Sequence, residues 1–433
     1  MGKATDDAAP SAGAVTQPKY SSQDHRFHVA VRWAPEDPAV EIAEGVYMSS
    51  ANSNRYLVTT PDGDVLINTG QSSQAVRHRE RFEQLLGRPL RVKKIIYTQS
   101  HADHYSGWEI YDDSGVETLA HTYFHEGVLD RQRLSDFFKP RRANTTAWRR
   151  QGASARMPGA DAMPSAHITT QVEDGHAFTL GGRRFEILSA PGGETPDSVF
   201  VWMPEEAILF TGNHAGALYG AMPNFTTIRG DRIRSTRLWV LDVNRMLALK
   251  PRLLVTGHDD PIHGEAQIRK DYEKIRDAVL YVHDATVQGM NDGKSLHQLM
   301  GEIELPASLT LADGRCPTRW VVRSVWEEYT GWFRFESPTE LYAQPPRSVW
   351  KDIFDLAGGD KLAERAWRYM DDGKPVEALH LVDIILEGDP DHARALAVKR
   401  AAIVHLIDAS EGRNYDEITY LESVLARLDA TGE

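Results

Sequence analysis

His101, Asp103 and His104 are the residues of this chain best placed to do chemistry, because three metal-capable side chains fall within four positions. Imidazole nitrogen and carboxylate oxygen are the donors of catalytic zinc sites, where a bound ion acidifies water. A metal-dependent hydrolase is therefore the first expectation. The run before them, Val92-Lys93-Lys94-Ile95-Ile96-Tyr97-Thr98, is apolar and β-branched and reads as a strand, and Gly107 opens a helix-like stretch. The cluster thus falls on a strand-to-helix loop, the usual seat of metal ligands on a rigid scaffold.

The elements that must hold this loop can be read around it. Gly45-Val46-Tyr47-Met48, Tyr56-Leu57-Val58-Thr59-Thr60 and Val65-Leu66-Ile67-Asn68 read as three consecutive strands, with Asp62-Gly63 a hairpin turn between the last two. Gln74 to Leu86 has a helical pattern. Residues 128–165, rich in Arg, Ala, Gly and Pro, read as a long irregular insertion or lid. Further strands are expected at Phe178-Thr179-Leu180, Arg184-Phe185-Glu186-Ile187-Leu188, Ser198-Val199-Phe200-Val201-Trp202 and Ala207-Ile208-Leu209-Phe210-Thr211. A helix from about Ile233 to Leu249 then leads to a last strand, Leu253-Leu254-Val255-Thr256, which runs into Gly257-His258. From about Ala266 onward the spacing is helical, with Asp360 to Glu387 and Asp391 to Leu428 reading as successive helical hairpins, loosely like tetratricopeptide units.

Size and composition narrow the class. A chain of 433 residues with 41% hydrophobic and 26% charged residues reads as a soluble globular protein of two or three domains. Its formal charge of −13 disfavours a nucleic-acid partner. The single cysteine, Cys316, rules out an intrachain disulfide, fits a reducing compartment and reads as a plain thiol. No apolar run approaches the ~20 residues of a membrane span. The first 24 residues, rich in Ala, Ser, Asp and Pro, read as a disordered tail on a cytoplasmic protein.

The loop resembles the His-x-His-x-Asp-His segment of the metallo-β-lactamase fold superfamily, with Gln99 standing where the first His is expected. That family also needs a third ligand, a bridging acid and a final His, at whose places stand Glu194, Asn213 and His258. The resemblance implies an α/β protein, an αβ/βα sandwich over residues 25–265, with an all-helical dimerisation domain over 266–433. It implies zinc, one or two ions per chain. Asp103, His104 and His258 make a full three-ligand set with an open position, whereas His101 and Glu194 would need help from Gln99 or water. Gln99 and Asn213 are neutral and weaker donors, so one site is expected to be tight and the other weak or empty. For both, hydrogen bonding around the ligands is as good a reading as ligation. His214 would replace Asn213 only if the strand ended one residue later, since strand side chains alternate faces.

Within that superfamily the sequence resembles the alkylsulfatase branch. There the third ligand is Glu in a Gly-x-Glu-x-Pro setting, matched by Gly192, Glu194 and Pro196. Asn224-Phe225-Thr226-Thr227-Ile228-Arg229-Gly230 resembles the segment whose Asn and Arg address the sulfate group, and Ala143-Asn144 with Arg149-Arg150 resembles another part of its pocket wall. Arg suits the task because its planar fork donates paired hydrogen bonds to an oxyanion. Tyr281-Val282-His283-Asp284 and Val325-Trp326-Glu327-Glu328-Tyr329 resemble the dimerisation domain, which implies a homodimer. The branch's sterol-carrier-like C-terminal domain has no counterpart before Glu433, which points to a small intracellular ester.

The resemblance thus implies hydrolysis of an anionic alkyl sulfate ester, with Asp103, Arg229 and Asn224 acting on substrate and water. The competing expectations are hydrolysis of a lactone, thioester or phosphodiester, and a degenerate noncatalytic binding protein.

Overall fold

Strand alternation in this sequence sorts side chains into three apolar layers. The computed structural model describes residues 37–111, 115–145, 165–214, 219–311 and 314–431, the side chains of 142–145 and 431 excepted. The tail, the Arg149-Arg150 pair and most of the second half of the 128–165 segment lie outside the described residues.

Among the described residues thirteen strands form two sheets. One has seven strands in sequential order: β1 (Val40–Ala43), β2 (Val46–Ser50), β3 (Asn54–Thr60), β4 (Gly63–Ile67), β5 (Val92–Ile96), β6 (Glu117–His121) and β7 (Thr170–Val172). The other has six: β8 (His176–Leu180), β9 (Arg183–Ser189), β10 (Val199–Met203), β11 (Ile208–Phe210), β12 (Leu253–Val255) and β13 (Ile262–His263). Successive strand side chains face opposite ways. Val58, Val65, Ile67 and Ile96 therefore meet Phe185, Ile187, Val199, Val201 and Phe210 in a core between the sheets. Their sequence neighbours Leu57, Leu66 and Ile95 pack outward on Phe82, Phe124 and Val128. On the far side Leu188, Phe200, Leu209 and Leu254 pack outward on Trp239, Tyr272 and Val322. The result is the helix-sheet-sheet-helix sandwich expected from the sequence.

Helix α1 (Ser72–Leu86) links β4 to β5, which pair in parallel and so need a crossover. It buries Gln74, Ala75, His78 and Phe82 at helical spacing and ends at Gly87, whose φ of 64° suits a left-handed cap. A one-turn helix, α2 (Ala102–Tyr105), carries the metal-capable loop. Where an irregular lid was expected, two helices stand: α3 (Phe124–Arg133) and α4 (Ser135–Thr145). Composition hid them because Pro140 and a run of arginines imitate a loop. The described helices that follow are mostly those of the helical half.

That half begins with α6 (Glu265–Asn291), preceded in the second sheet's helical layer by α5 (Thr236–Ala248), whose cap Ser235 accepts from the Leu238 N–H. Helix α6 and α7 (Leu296–Glu302) share the outer core with α8 (Thr318–Thr330), so packing is continuous across position 265. Five further helices follow: α9 (Trp350–Ala357), α10 (Gly359–Asp371), α11 (Pro375–Gly388), α12 (Ala393–Ala409) and α13 (Tyr415–Thr431). The first four of these surround a separate small core of Ala363, Ala366, Val382 and Val398. The last returns to pack on α4. No helix of the described residues is long and apolar enough to cross a membrane. Cys316 is buried, as a plain thiol should be.

One buried residue of α1 makes stability depend on pH. His78 is fully buried, with Nδ1 2.6 Å from Ser49 Oγ. Burial, reinforced by Arg55, Arg81 and Arg77, pushes its imidazole down to about 2. Unfolded histidine takes up a proton near pH ~6.5, so His78 contributes its full stability above that pH and loses it as pH falls toward the folded value. Between pH 7 and 5 the wild type should lose about 2 kcal/mol more than His78→Asn, which keeps an acceptor for Ser49. Urea unfolding at the two pH values checks this; equal losses would remove His78 as the cause.

Candidate metal centre and anion pocket

The site sits where strand ends from both sheets meet. Strand β5 feeds Thr98 to His104, β9 feeds Ala190 to Glu194, β11 feeds Asn213 and β12 feeds His258. Backbone and side-chain bonds join the two sheets here: Val199 N donates to Thr98 O at 2.9 Å, Asn54 N to Gly257 O at 2.6 Å and Tyr56 OH to Thr256 O at 2.6 Å. Loops that belong to different sheets are thereby held in one register.

Asp103, His104 and His258 converge, with one donor atom of each lying within 4.8 Å of the others. Asp103 Oδ2 is 3.8 Å from His104 Nε2 and 3.7 Å from His258 Nε2. The rings are aimed from behind: Asn52 O lies 2.6 Å from His258 Nδ1, and Asn68 Nδ2 lies 3.2 Å from His104 Nδ1. Burial pushes the His104 imidazole down to about 4, so it is neutral at neutral pH. Its Nε2 is buried without a hydrogen-bond partner among the described residues, an exception that invites a ligand. The backbone must come close to make room, and it does so at Gly257. A Cβ there would stand 1.8 Å from Asn213 Oδ1 and 2.9 Å from His104 Cε1.

The other expected ligands form a different kind of group. His101 Nδ1 lies 3.2 Å from Glu194 Oε2 and 3.0 Å from Gln99 Nε2. The Gln99 carbonyl accepts from the Asn213 backbone N–H at 2.9 Å, and Asn213 Nδ2 donates to Glu194 Oε2 at 2.8 Å. Arg234 NH1 donates to Glu194 Oε1 at 3.2 Å, and its NH2 lies 3.4 Å from Asp231 Oδ2. Asp231 also takes His101 Nε2 at 3.7 Å and Arg131 at 3.5 Å. Burial opposes ionisation of Glu194, yet Arg234, His101 and Arg229 hold its carboxyl well below the usual range. Asp231 is likewise held low against its burial by His101, Arg131 and Arg234.

Arg234, Asp231 and Arg131 were not anticipated from the sequence. Two of them follow the Asn224–Gly230 segment directly, and that proximity was the available signal.

Beside this group lies a small cavity lined by Glu194, His214, Asn224, Phe225, Arg234 and Trp239. Asn224 is buried, and both polar atoms of its side chain lack a hydrogen-bond partner among the described residues. Arg229 is half-buried. Burial disfavours its charge, but Asp231, Glu194, Asp416 and Asp103 outweigh that and raise its pKa. His214 points the other way from Asn213: it stacks on Trp239 at an interplanar angle of 12° and lies 3.5 Å from Asp242, so it is not a ligand substitute. Asn144 sits in α4, its side chain outside the described residues.

Comparison with known proteins agrees with this geometry. Residues 51–258 match the metallo-beta-lactamase superfamily, and residues 297–423 match the alkyl sulfatase dimerisation family. A linear primary-alkylsulfatase of a Pseudomonas species is 25% identical over 83% of this chain and 71% of its own length. The alkyl/aryl-sulfatase BDS1 of Saccharomyces cerevisiae is 26% identical over 80% of this chain and 56% of its own. In fold the chain is similar to the stereoselective inverting sec-alkylsulfatase Pisa1 from Pseudomonas, at 21% identity and a TM-score of 0.75 over 89% of this chain and 64% of that one. The chain thus spans between about half and about two thirds of the length of most such relatives. Residues 51–258 are therefore a metallo-β-lactamase superfamily domain, and residues 297–423 an alkyl-sulfatase dimerisation domain.

Proposed function

We propose that this chain is a metal-dependent hydrolase that cleaves alkyl sulfate esters to an alcohol and inorganic sulfate. The observation that carries the reading is the convergence of Asp103, His104 and His258; support for an oxyanion-binding pair comes from Arg229, held charged by Asp231 and Glu194, and from Asn224, buried without a partner among the described residues. The named relatives support it, since each is a sulfatase by name.

The three converging donors and the orphaned His104 Nε2 fit a divalent metal. Nitrogen and carboxylate donors with an open position favour zinc. When bound there, the metal supplies a Lewis acid that draws the pKa of water down toward neutrality. The chain's own residues do the rest. Asp103 orients the attacking water through its carboxylate, and Arg229 grips the sulfate oxygens with a charge-assisted fork. Asn224, whose amide meets no partner among the described residues, supplies a further donor to the same oxygens. Water adds across the ester, so the alkyl group leaves as the alcohol and the sulfuryl group as sulfate and a proton.

Replacing Arg229 by Ala should lower kcat/KM for an alkyl sulfate about 100- to 1000-fold, the loss usual for one oxyanion donor. Zinc content should stay the same, since Arg229 is not a ligand. Unchanged kinetics with sulfate esters would remove it from this role. A panel setting alkyl sulfates against a lactone, a thioester and a phosphodiester tests the substrate class, and a non-sulfate ester turned over far faster would reassign it.

The same reading makes the chain a homodimer in the cytoplasm, with a boundary near residue 265 between catalytic and dimerisation parts. Support for the dimer comes from Tyr329, Trp332, Phe335 and Tyr342, all more than half exposed and all inside the matched dimerisation region. Support for a reducing compartment is the lone, buried Cys316.

A further inference from the structure

The two residues that depart from the superfamily's ligand pattern, Gln99 and Asn213, are bonded to each other. The only oxygen Gln99 could offer a metal accepts the Asn213 backbone N–H at 2.9 Å. The Asn213 side chain in turn gives its amide hydrogen to Glu194 Oε2 at 2.8 Å. An Asp at 213 would set two carboxylate oxygens at about that spacing, and like charges so close need a cation or a proton between them. Asparagine removes that need. It replaces a repulsion that a metal would relieve with a hydrogen bond that leaves nothing to relieve.

The other Glu194 oxygen is taken as well. Oε1 accepts from Arg234 NH1 at 3.2 Å, and Arg234 NH2 reaches Asp231 Oδ2 at 3.4 Å. Arg131 balances Asp231 from the other side at 3.5 Å. Two carboxylates thus face two guanidinium groups, with Arg229 a further cation acting on both, so their charge is matched before any ion enters. Its inner members are dry: the side chains of Glu194 and Arg234 are 4% and 6% exposed. Adding a divalent ion there would leave charge uncompensated in a region with little water, which is strongly unfavourable. It would also have to break the bonds to both Glu194 oxygens. In the Asp103, His104 and His258 group, by contrast, His104 Nε2 is orphaned among the described residues, and His258 Nε2 meets only the Asn213 amide, 3.1 Å away, and Asp103.

We propose that the position of a second metal ion in this site is closed by the chain's own groups, the Asn213 amide on one Glu194 oxygen and the Arg234 guanidinium on the other, and that the protein works with one ion at Asp103, His104 and His258. This rests on the reading of the site as a metal hydrolase. Arg234 supplies a fixed positive charge in place of the removable one of a second ion. Gln99 and Asn213 are the residues that make the exchange possible.

The test is metal stoichiometry. The full chain and the variant Q99H/N213D are loaded with zinc alone, dialysed against metal-free buffer and measured for zinc per chain, with circular dichroism to verify the fold. Wild type should retain about one zinc and the variant about two, the ligand count setting the number held. Two zinc ions retained by wild type would overturn the inference and leave the hydrolase reading intact. A folded variant that still holds only one would overturn the assignment to Gln99 and Asn213. No zinc on either protein would overturn the metal-hydrolase reading itself, a distinct outcome.

Discussion

His104→Ala is expected to abolish zinc retention and to lower kcat/KM for an alkyl sulfate by about a thousandfold or more. His104 is fully buried, it contributes one of only three converging donors, and its Nε2 has no other partner among the described residues. Losing a metal's stabilisation of developing charge costs several kcal/mol, and each ~1.4 kcal/mol is tenfold in rate. A milder change behind the ring should have a milder effect. Asn68→Ala removes the amide 3.2 Å from His104 Nδ1, which positions the ring, and should cost less zinc binding than His104→Ala does. Zinc content and initial rates, taken together, check both. A His104→Ala protein that keeps its zinc and loses less than tenfold in rate would place the metal elsewhere.

The second large effect is on stability. Arg234→Met should cost about 3–5 kcal/mol, because removing one partner of a buried ion pair strands the other charge. Glu194 would keep Asn213 and His101 but lose the only guanidinium within hydrogen-bonding distance among the described residues, and Asp231 would keep Arg131. The pH dependence has a definite sign. In the wild type Glu194 is held below its ordinary value, so its contribution is present above about pH 4.5 and is lost as pH falls below that. Without Arg234, burial raises Glu194 instead, so the variant's deficit should be largest near pH 7 and should shrink toward pH 5. Adding Glu194→Gln should recover much of the loss, since replacing both partners leaves no stranded charge. Urea unfolding of the single and double variants measures this, and a single-variant loss below about 1 kcal/mol would make the pair a surface-like one.

Much of this fold was legible because strand alternation carries it. Val58 and Leu57, or Val201 and Phe200, are neighbours whose side chains enter different cores, and the sequence pattern alone separates them. Strands β1, β6 and β7 were harder: Glu117 and Thr118 begin one of them, Thr170 and Gln171 another, and polar residues at strand starts look like loop. Helices α3 and α4 were missed for a related reason, since arginines and a proline within 128–145 mask the helical spacing.

The site divides in the same way. His101, Asp103 and His104 are readable because their types and spacing are rare outside metal loops. Arg234 and Asp231 are not, because an Asp and an Arg three apart in a loop usually face solvent. Only burial separates the two cases, and burial here depends on contacts such as Asn213 with Gln99, which lie 114 positions apart.

The most direct measurement is inorganic sulfate released from a linear alkyl sulfate by the zinc-loaded chain. Sulfate and alcohol should appear in equal amounts, release should stop when the zinc is chelated, and it should return when zinc is restored. A zinc-loaded, folded protein that releases no sulfate, or one whose release is unaffected by chelation, would contradict the account.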